Sequence, residues 1–149
     1  MQPLESLPGG NLRPPGPPRV LVVDDHDTVR RLCMQILLRD GYEVFEATDG
    51  QEALELARAK AIDLVLLDIS MPVLDGFGLA AALREDKRTQ SVPFIFVTGE
   101  TDPLVKVRAF ESGAKGYFEK PFDPTVLSTF VRRILAHLVP QARLSTIDG

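Results

Sequence analysis

Four segments of this chain that read as strands end in a polar residue able to do chemistry: Asp24-Asp25, Asp68, Thr98 and Lys120. Leu64 to Leu67 is a continuous apolar run that stops at Asp68, and Pro72 turns the chain away soon after. Such a run suits a strand buried on both faces of a parallel sheet. The carboxyl ends of parallel strands lie on one sheet edge, where open α/β folds carry their ligand sites. Three carboxylates gathered there repel. At ~4 Å and an effective dielectric near 20, each pair costs about 4 kcal/mol. A hard divalent cation removes that cost, and Mg²⁺ suits carboxylates, a carbonyl, waters and phosphate oxygens. A lysine adds a point charge for an anion, and a threonine adds a hydroxyl donor. Aspartate is a nucleophile toward phosphorus and gives an acyl phosphate. These are the parts needed to place a phosphoryl group on Asp68. Singly, each has a plainer reading: a cap pair, a strand-end threonine, a solvated lysine. Their convergence on one edge argues for the site.

The elements that must position them alternate. Arg19 to Val23 reads as the first strand, followed by a helix with Asp27 as its N-cap. Val29, Leu32, Cys33, Ile36 and Leu37 form that helix's apolar face, and Gly41 ends it. Tyr42 to Ala47 is a second strand and Gly50 to Lys60 a second helix, with Ala53, Leu54, Leu56 and Ala57 inward. After the Leu64–Asp68 strand, Phe77 to Asp86 is helical, and 92–97 is a fourth strand ending at Thr98-Gly99. A fourth helix starts at Thr101 or Asp102, and Lys115 to Lys120 is a fifth strand. The last helix begins after Asp123, striped by Val126, Leu127, Phe130, Val131, Ile134, Leu135 and Leu138. This alternation predicts an α/β doubly wound, five-stranded parallel sheet with right-handed crossovers and helices on both faces. In the flavodoxin-like order 2-1-3-4-5, strands one, three, four and five are contiguous. The second strand ends in turn residues, Ala47 to Gly50, and falls at the edge.

Composition narrows the class. The chain has 149 residues and a net charge of −4, which gives no reason to expect contact with nucleic acid. No apolar run approaches the ~20 residues of a membrane span, and no secretory signal is visible. The single cysteine, Cys33, lies on an apolar helical stripe, reads as core and fits a reducing cytoplasm. Residues 1–18 hold half of the 12 prolines and read as a disordered leader, with a polyproline ligand as the other reading. The folded domain is expected over 19–139, with 140–149 a tail or the start of a linker.

Val22-Val23-Asp24-Asp25, Leu66 to Pro72 with Asp75-Gly76, Val97-Thr98-Gly99 and Lys120-Pro121-Phe122 are together highly specific. On them, the chain resembles the receiver domain of two-component response regulators, and among these the single-domain chemotaxis-type regulators. The resemblance runs from about Arg19 to Leu138. It implies that Asp68 is the phosphoacceptor. It implies a Mg²⁺ site in which Asp25 is a direct ligand, Asp24 helps through water, and Asp68 and the Ser70 carbonyl also contribute. Thr98 would be the switch hydroxyl, Tyr117 the switch aromatic, Lys120 the phosphoryl-binding cation, and Lys120-Pro121 a cis peptide. The implied partner is a histidine kinase or histidine phosphotransfer protein. A homodimer through helix 4, strand 5 and helix 5 is a further expectation. Glu100, two residues beyond Thr98, is expected to affect hydrolysis of the acyl phosphate. The competing class is a phosphatase or phosphotransferase of the haloacid-dehalogenase-like group. Those enzymes usually carry a second Asp two residues after the nucleophile, where this chain has Ser70.

Overall fold

The computed structural model describes residues 16–138, so most of the expected leader and the whole of 140–149 lie outside the described residues. The strands are β1 (Arg19–Val23), β2 (Glu43–Ala47), β3 (Leu64–Leu67), β4 (Phe94–Thr98) and β5 (Gly116–Glu119). They alternate with α1 (Asp27–Arg39), α2 (Gly50–Ala59), α3 (Gly76–Glu85), α4 (Pro103–Glu111) and α5 (Pro124–Leu138). All pairings are parallel, as the alternation predicts, and the order is the flavodoxin-like β2-β1-β3-β4-β5 expected from the polar strand ends.

Alternate residues of each strand feed the two faces. Leu21, Val23, Val65, Leu67, Phe94 and Phe96 meet Ala53, Leu54 and Ala57 of α2 and Leu79, Ala80 and Leu83 of α3. On the other face Val20, Val22, Leu64, Leu66, Ile95 and Val97 meet Cys33, Ile36 and Leu37 of α1 and Leu127, Val131 and Leu135 of α5. Each fully buried side chain of this size contributes about 1.5–3 kcal/mol. Burial, with the Asp24 charge nearby, pushes the Cys33 thiol up to about 12, so it stays neutral and unreactive.

Helix ends follow local chemistry. Asp49, Asp75 and Asp102 each accept a backbone N–H of their helix's first turn. Gly41 (φ 95°) and Gly113 (φ 102°) carry the left-handed turns after α1 and α4. The start of α1 corrects the sequence reading. His26 is the N-cap residue, without a side-chain cap bond, and Asp27 is the first helical residue. Asp27 instead accepts from Arg30, at 2.6 Å. Two apolar stripes are also narrower than expected. Leu32 of α1 is 39% exposed and Val126 of α5 is 52% exposed. Both lie at the margin of their stripe, where the cylindrical helix surface turns away from the sheet. Leu56 likewise packs only partly, at the edge of α2.

Candidate functional site

The acidic groups are set by main-chain bonds that extend the ladder just past the strands. Asp24 N donates to Ala47 O (3.2 Å), and Asp68 N donates to Val23 O (3.0 Å). Lys120 N donates to Thr98 O at 2.8 Å, so β4 and β5 end in register. Sheet order thus brings Asp24, Asp68, Thr98 and Lys120 to one edge. Lys120 Nζ lies 2.8 Å from Asp24 Oδ2 and 3.1 Å from Asp68 Oδ2. Both carboxylates belong to residues only 3% exposed. Burial works against the charged form of Lys120, but the hydrogen bond to Asp24 and the charge of Asp68 outweigh it and hold its pKa above the ordinary lysine value. The ammonium is therefore a fixed cation at any working pH.

Asp68 stays buried where the chain leaves β3. Asp68 Oδ1 accepts from Ile69 N (2.7 Å). Val73, a β-branched residue at φ 68°, sits in a tight turn where Leu74 N donates to Pro72 O (2.7 Å). That turn returns the chain so that Gly76 N donates to Ile69 O (2.8 Å) and α3 starts against the back of Asp68. Lys120-Pro121 is cis, as the resemblance implies.

A cleft of about 600 Å³ opens over these groups. Asp68, Ser70, Thr98, Glu100, Lys120 and His26 help line it. Asp24, Asp25, His26 and Asp68 each offer a donor atom within 4.8 Å of the others. Three carboxylates against one ammonium leave two negative charges unbalanced, and the donors are mainly hard oxygens. A small divalent cation such as Mg²⁺ fits that set.

Thr98 is buried, and its Oγ1 accepts from Glu100 N at 3.3 Å. Tyr117 is half-buried and donates its hydroxyl to Glu100 O at 2.7 Å. Burial, then the charges of Glu100 and Glu119, raise the Tyr117 pKa, so it remains a donor. Its ring packs 6.5 Å from both Phe96 and Phe110.

Two residues at this edge escape a reading by strand ends. His26 Nδ1 lies 3.2 Å from Asp24 Oδ1 and 3.1 Å from Asp25 Oδ1. Its side chain is largely exposed, and its adjacency to the acidic pair was the available signal. Arg30 is buried within α1 and donates to Asp24 O, Asp27 and Glu46. Only its spacing from Asp27 hinted at a role.

A doubly wound parallel sheet whose carboxyl edge joins an acidic cluster, a threonine and a lysine defines a receiver-type signalling domain. The chain belongs to the response regulator receiver domain family, whose model matches residues 20–132. It is 41% identical over 116 residues to the transcriptional regulatory protein SrrA of Staphylococcus aureus, covering 78% of this chain and 47% of that protein. The chain thus spans about half the length of the curated relatives it matches. Among solved structures it resembles the chemotaxis protein CheY4 of Vibrio cholerae (36% identity, 80% of this chain and 99% of that one, TM-score 0.74). It also resembles the signal receiver domain of a histidine kinase from Syntrophus aciditrophicus (30% identity, 83% and 94%, TM-score 0.76). Family membership places the chain with receivers rather than with haloacid-dehalogenase-like enzymes. Among the described residues, no helix is long and apolar enough to cross a membrane.

Proposed function

We propose that Asp68 accepts a phosphoryl group from a histidine kinase or histidine phosphotransfer protein, and that the modified protein is the signal. The observation that carries this reading is the Lys120 ammonium bridging the buried Asp24 and Asp68 carboxylates at the mouth of an open cleft. An Asp68 Oδ–P bond forms as the donor's P–N bond breaks. Asp24, Asp25, Asp68 and the Ser70 carbonyl would hold Mg²⁺. The cation, when bound, neutralises charge on the transferring phosphoryl group. Lys120 turns its ammonium from the Asp68 carboxylate to the new phosphoryl oxygens. The deep position of Asp68 keeps bulk water from its rear. A reducing cytoplasm, where a buried free thiol is stable, is the compartment this reading assigns. Incubating the protein with acetyl phosphate and Mg²⁺ tests it: a base-labile phosphoryl group on Asp68 is expected by mass spectrometry, and its absence would overturn the proposal.

The switch runs through one short segment. Thr98 offers its hydroxyl to the phosphoryl oxygens and gives up the Glu100 N–H. Tyr117 holds the Glu100 carbonyl, so a shift of Thr98 reaches Tyr117 through Glu100 and then α4, which begins at Pro103. Phosphorylation favours one state only through such differential contacts. Leu104, Val107 and Phe110 stand exposed on α4, and α4, β5 and α5 form the face through which the active state engages a partner or a second copy. Sedimentation with beryllofluoride and Mg²⁺ is expected to show a dimer; an unchanged monomer mass would remove the second copy from the proposal.

Glu100 lines the same cleft, and its Oε1 accepts from Asp102 N at 3.3 Å. Its carboxylate holds the water that attacks the acyl phosphate. Glu100→Ala is expected to slow dephosphorylation several-fold, well short of the ~10²–10⁴ that a dedicated general base supplies. Equal lifetimes of the two phosphoproteins would end that role.

A further inference from the structure

Arg30 is a fully charged side chain, 5% exposed, in a helix face otherwise made of Cys33, Ile36 and Leu37. Removing a guanidinium from water is costly unless every donor finds a partner. Here each of the three guanidinium nitrogens donates to an acceptor, on β2, on α1 and on the turn between β1 and α1. Nε donates to Glu46 Oε1 of β2 at 3.0 Å. Nη2 donates to Asp27 Oδ1 of α1 at 2.6 Å. Nη1 donates to the main-chain carbonyl of Asp24 at 3.0 Å. The two carboxylates are exposed surface groups, but the carbonyl belongs to the turn that carries the acidic pair.

We propose that Arg30, set by Glu46 and Asp27, is a positioning residue for the cation site: it fixes the Asp24–Asp25 peptide plane and thereby aims the Asp25 carboxylate. This rests on the assignment of Asp24, Asp25 and Asp68 to a Mg²⁺ site. Asp24 is bonded on both of its flanking peptides: its N, in the preceding peptide, donates to Ala47 O, and its O, in the Asp24–Asp25 peptide, accepts from Arg30. Rotating that plane would swing Asp25, whose side chain has no strand to hold it. Outer groups that orient metal ligands typically govern affinity by 10–100-fold. The inference also gives β2 a part in the site. Its terminus offers no chemistry, yet Glu46 presets the guanidinium.

Charge and geometry predict opposite signs, which makes the idea testable. A guanidinium near the site repels a cation, so by charge alone its loss would tighten Mg²⁺ binding. By positioning, its loss weakens binding. Arg30→Met removes both charge and fork. Arg30→Lys keeps the charge and the stem but cannot reach three acceptors at once. Leu37→Ala, in the core beneath the same helix, is the control for lost stability. Mg²⁺ affinity is measured by calorimetric titration well below each protein's melting transition. Both Arg30 variants are expected to bind about tenfold more weakly, with Leu37→Ala near the native value. Native or tighter affinity in either Arg30 variant overturns the proposal, as does an equal loss in Leu37→Ala. If Arg30→Met does not fold, Arg30→Lys against Leu37→Ala decides. If the native protein itself binds no Mg²⁺, the site assignment falls and the role of Arg30 with it.

Discussion

Asp68→Asn is expected to take no label from acetyl phosphate or from a phosphorylated kinase, a loss of at least about 10³-fold, or ~4 kcal/mol of barrier. Asparagine matches aspartate in shape but has no charged oxygen to attack phosphorus. The Oδ1 contact to Ile69 N, at 2.7 Å, survives with an amide oxygen. The Asp24–Lys120 pair at 2.8 Å also survives, so the variant is expected to fold. Phosphate-affinity electrophoresis of both proteins after equal exposure reads the result. Residual label at the native level would mean that Asp24 or Asp25 is the acceptor, and the mechanism would have to be rebuilt around one of them.

The second large effect is structural and falls on the same loop. Gly76 opens α3 directly behind Asp68. A Cβ there would stand 2.3 Å from the Asp68 carbonyl oxygen, 2.8 Å from Ile69 Cα and 3.0 Å from the Asp68 carbonyl carbon. All three are main-chain atoms with no rotamer to give way. The bond from Gly76 N to Ile69 O, at 2.8 Å, pins the approach. Gly76→Ala is expected to cost about 3 kcal/mol, a large share of a domain's 5–15 kcal/mol, and to lower Tm by roughly 10 °C. The better helix propensity of alanine, ~1 kcal/mol, does not offset this.

Gly50→Ala separates stability from site geometry. Its Cβ would meet the Leu74 carbonyl oxygen at 2.2 Å, a clash of the same severity but with the far end of that loop rather than with the Asp68 main chain. Both variants are expected to melt early in a thermal scan, but only Gly76→Ala should also lose phosphorylation rate at a temperature where both are folded. A Gly76→Ala protein with native Tm and native rate would show that the loop can retreat, contrary to the packing described.

Much of this was legible in the residues. Parallel strands buried on both faces are continuous apolar runs, and 64–67 or 94–97 can hardly be anything else. Alternation with helices and right-handed crossovers then leave few topologies, and the polar ends of strands one, three, four and five favour the order in which those strands are neighbours. Asp24, Asp68, Thr98 and Lys120 were visible for the same reason: Asp24, Asp68 and Lys120 directly follow a strand and Thr98 closes one, so a search of strand ends finds all four. The narrower stripes of α1 and α5 were not visible. Periodicity reports which side of a helix faces the sheet, but not how far the contact extends around it. Leu32 and Val126 obey the period and still meet solvent.

The tertiary structure alone decided the contacts made by long side chains across sequence. Lys120 reaches Asp24 from 96 residues away, and Arg30 joins Glu46 to the Asp24 carbonyl across α1 and β2. A local pattern scores an arginine on an apolar stripe as an interruption, because the acceptors that make its burial tolerable lie on other elements. Sequence by itself determined the sheet, its order and the polar groups brought to its edge. Which donors hold those groups in place depended on distances that exist only once the chain has folded.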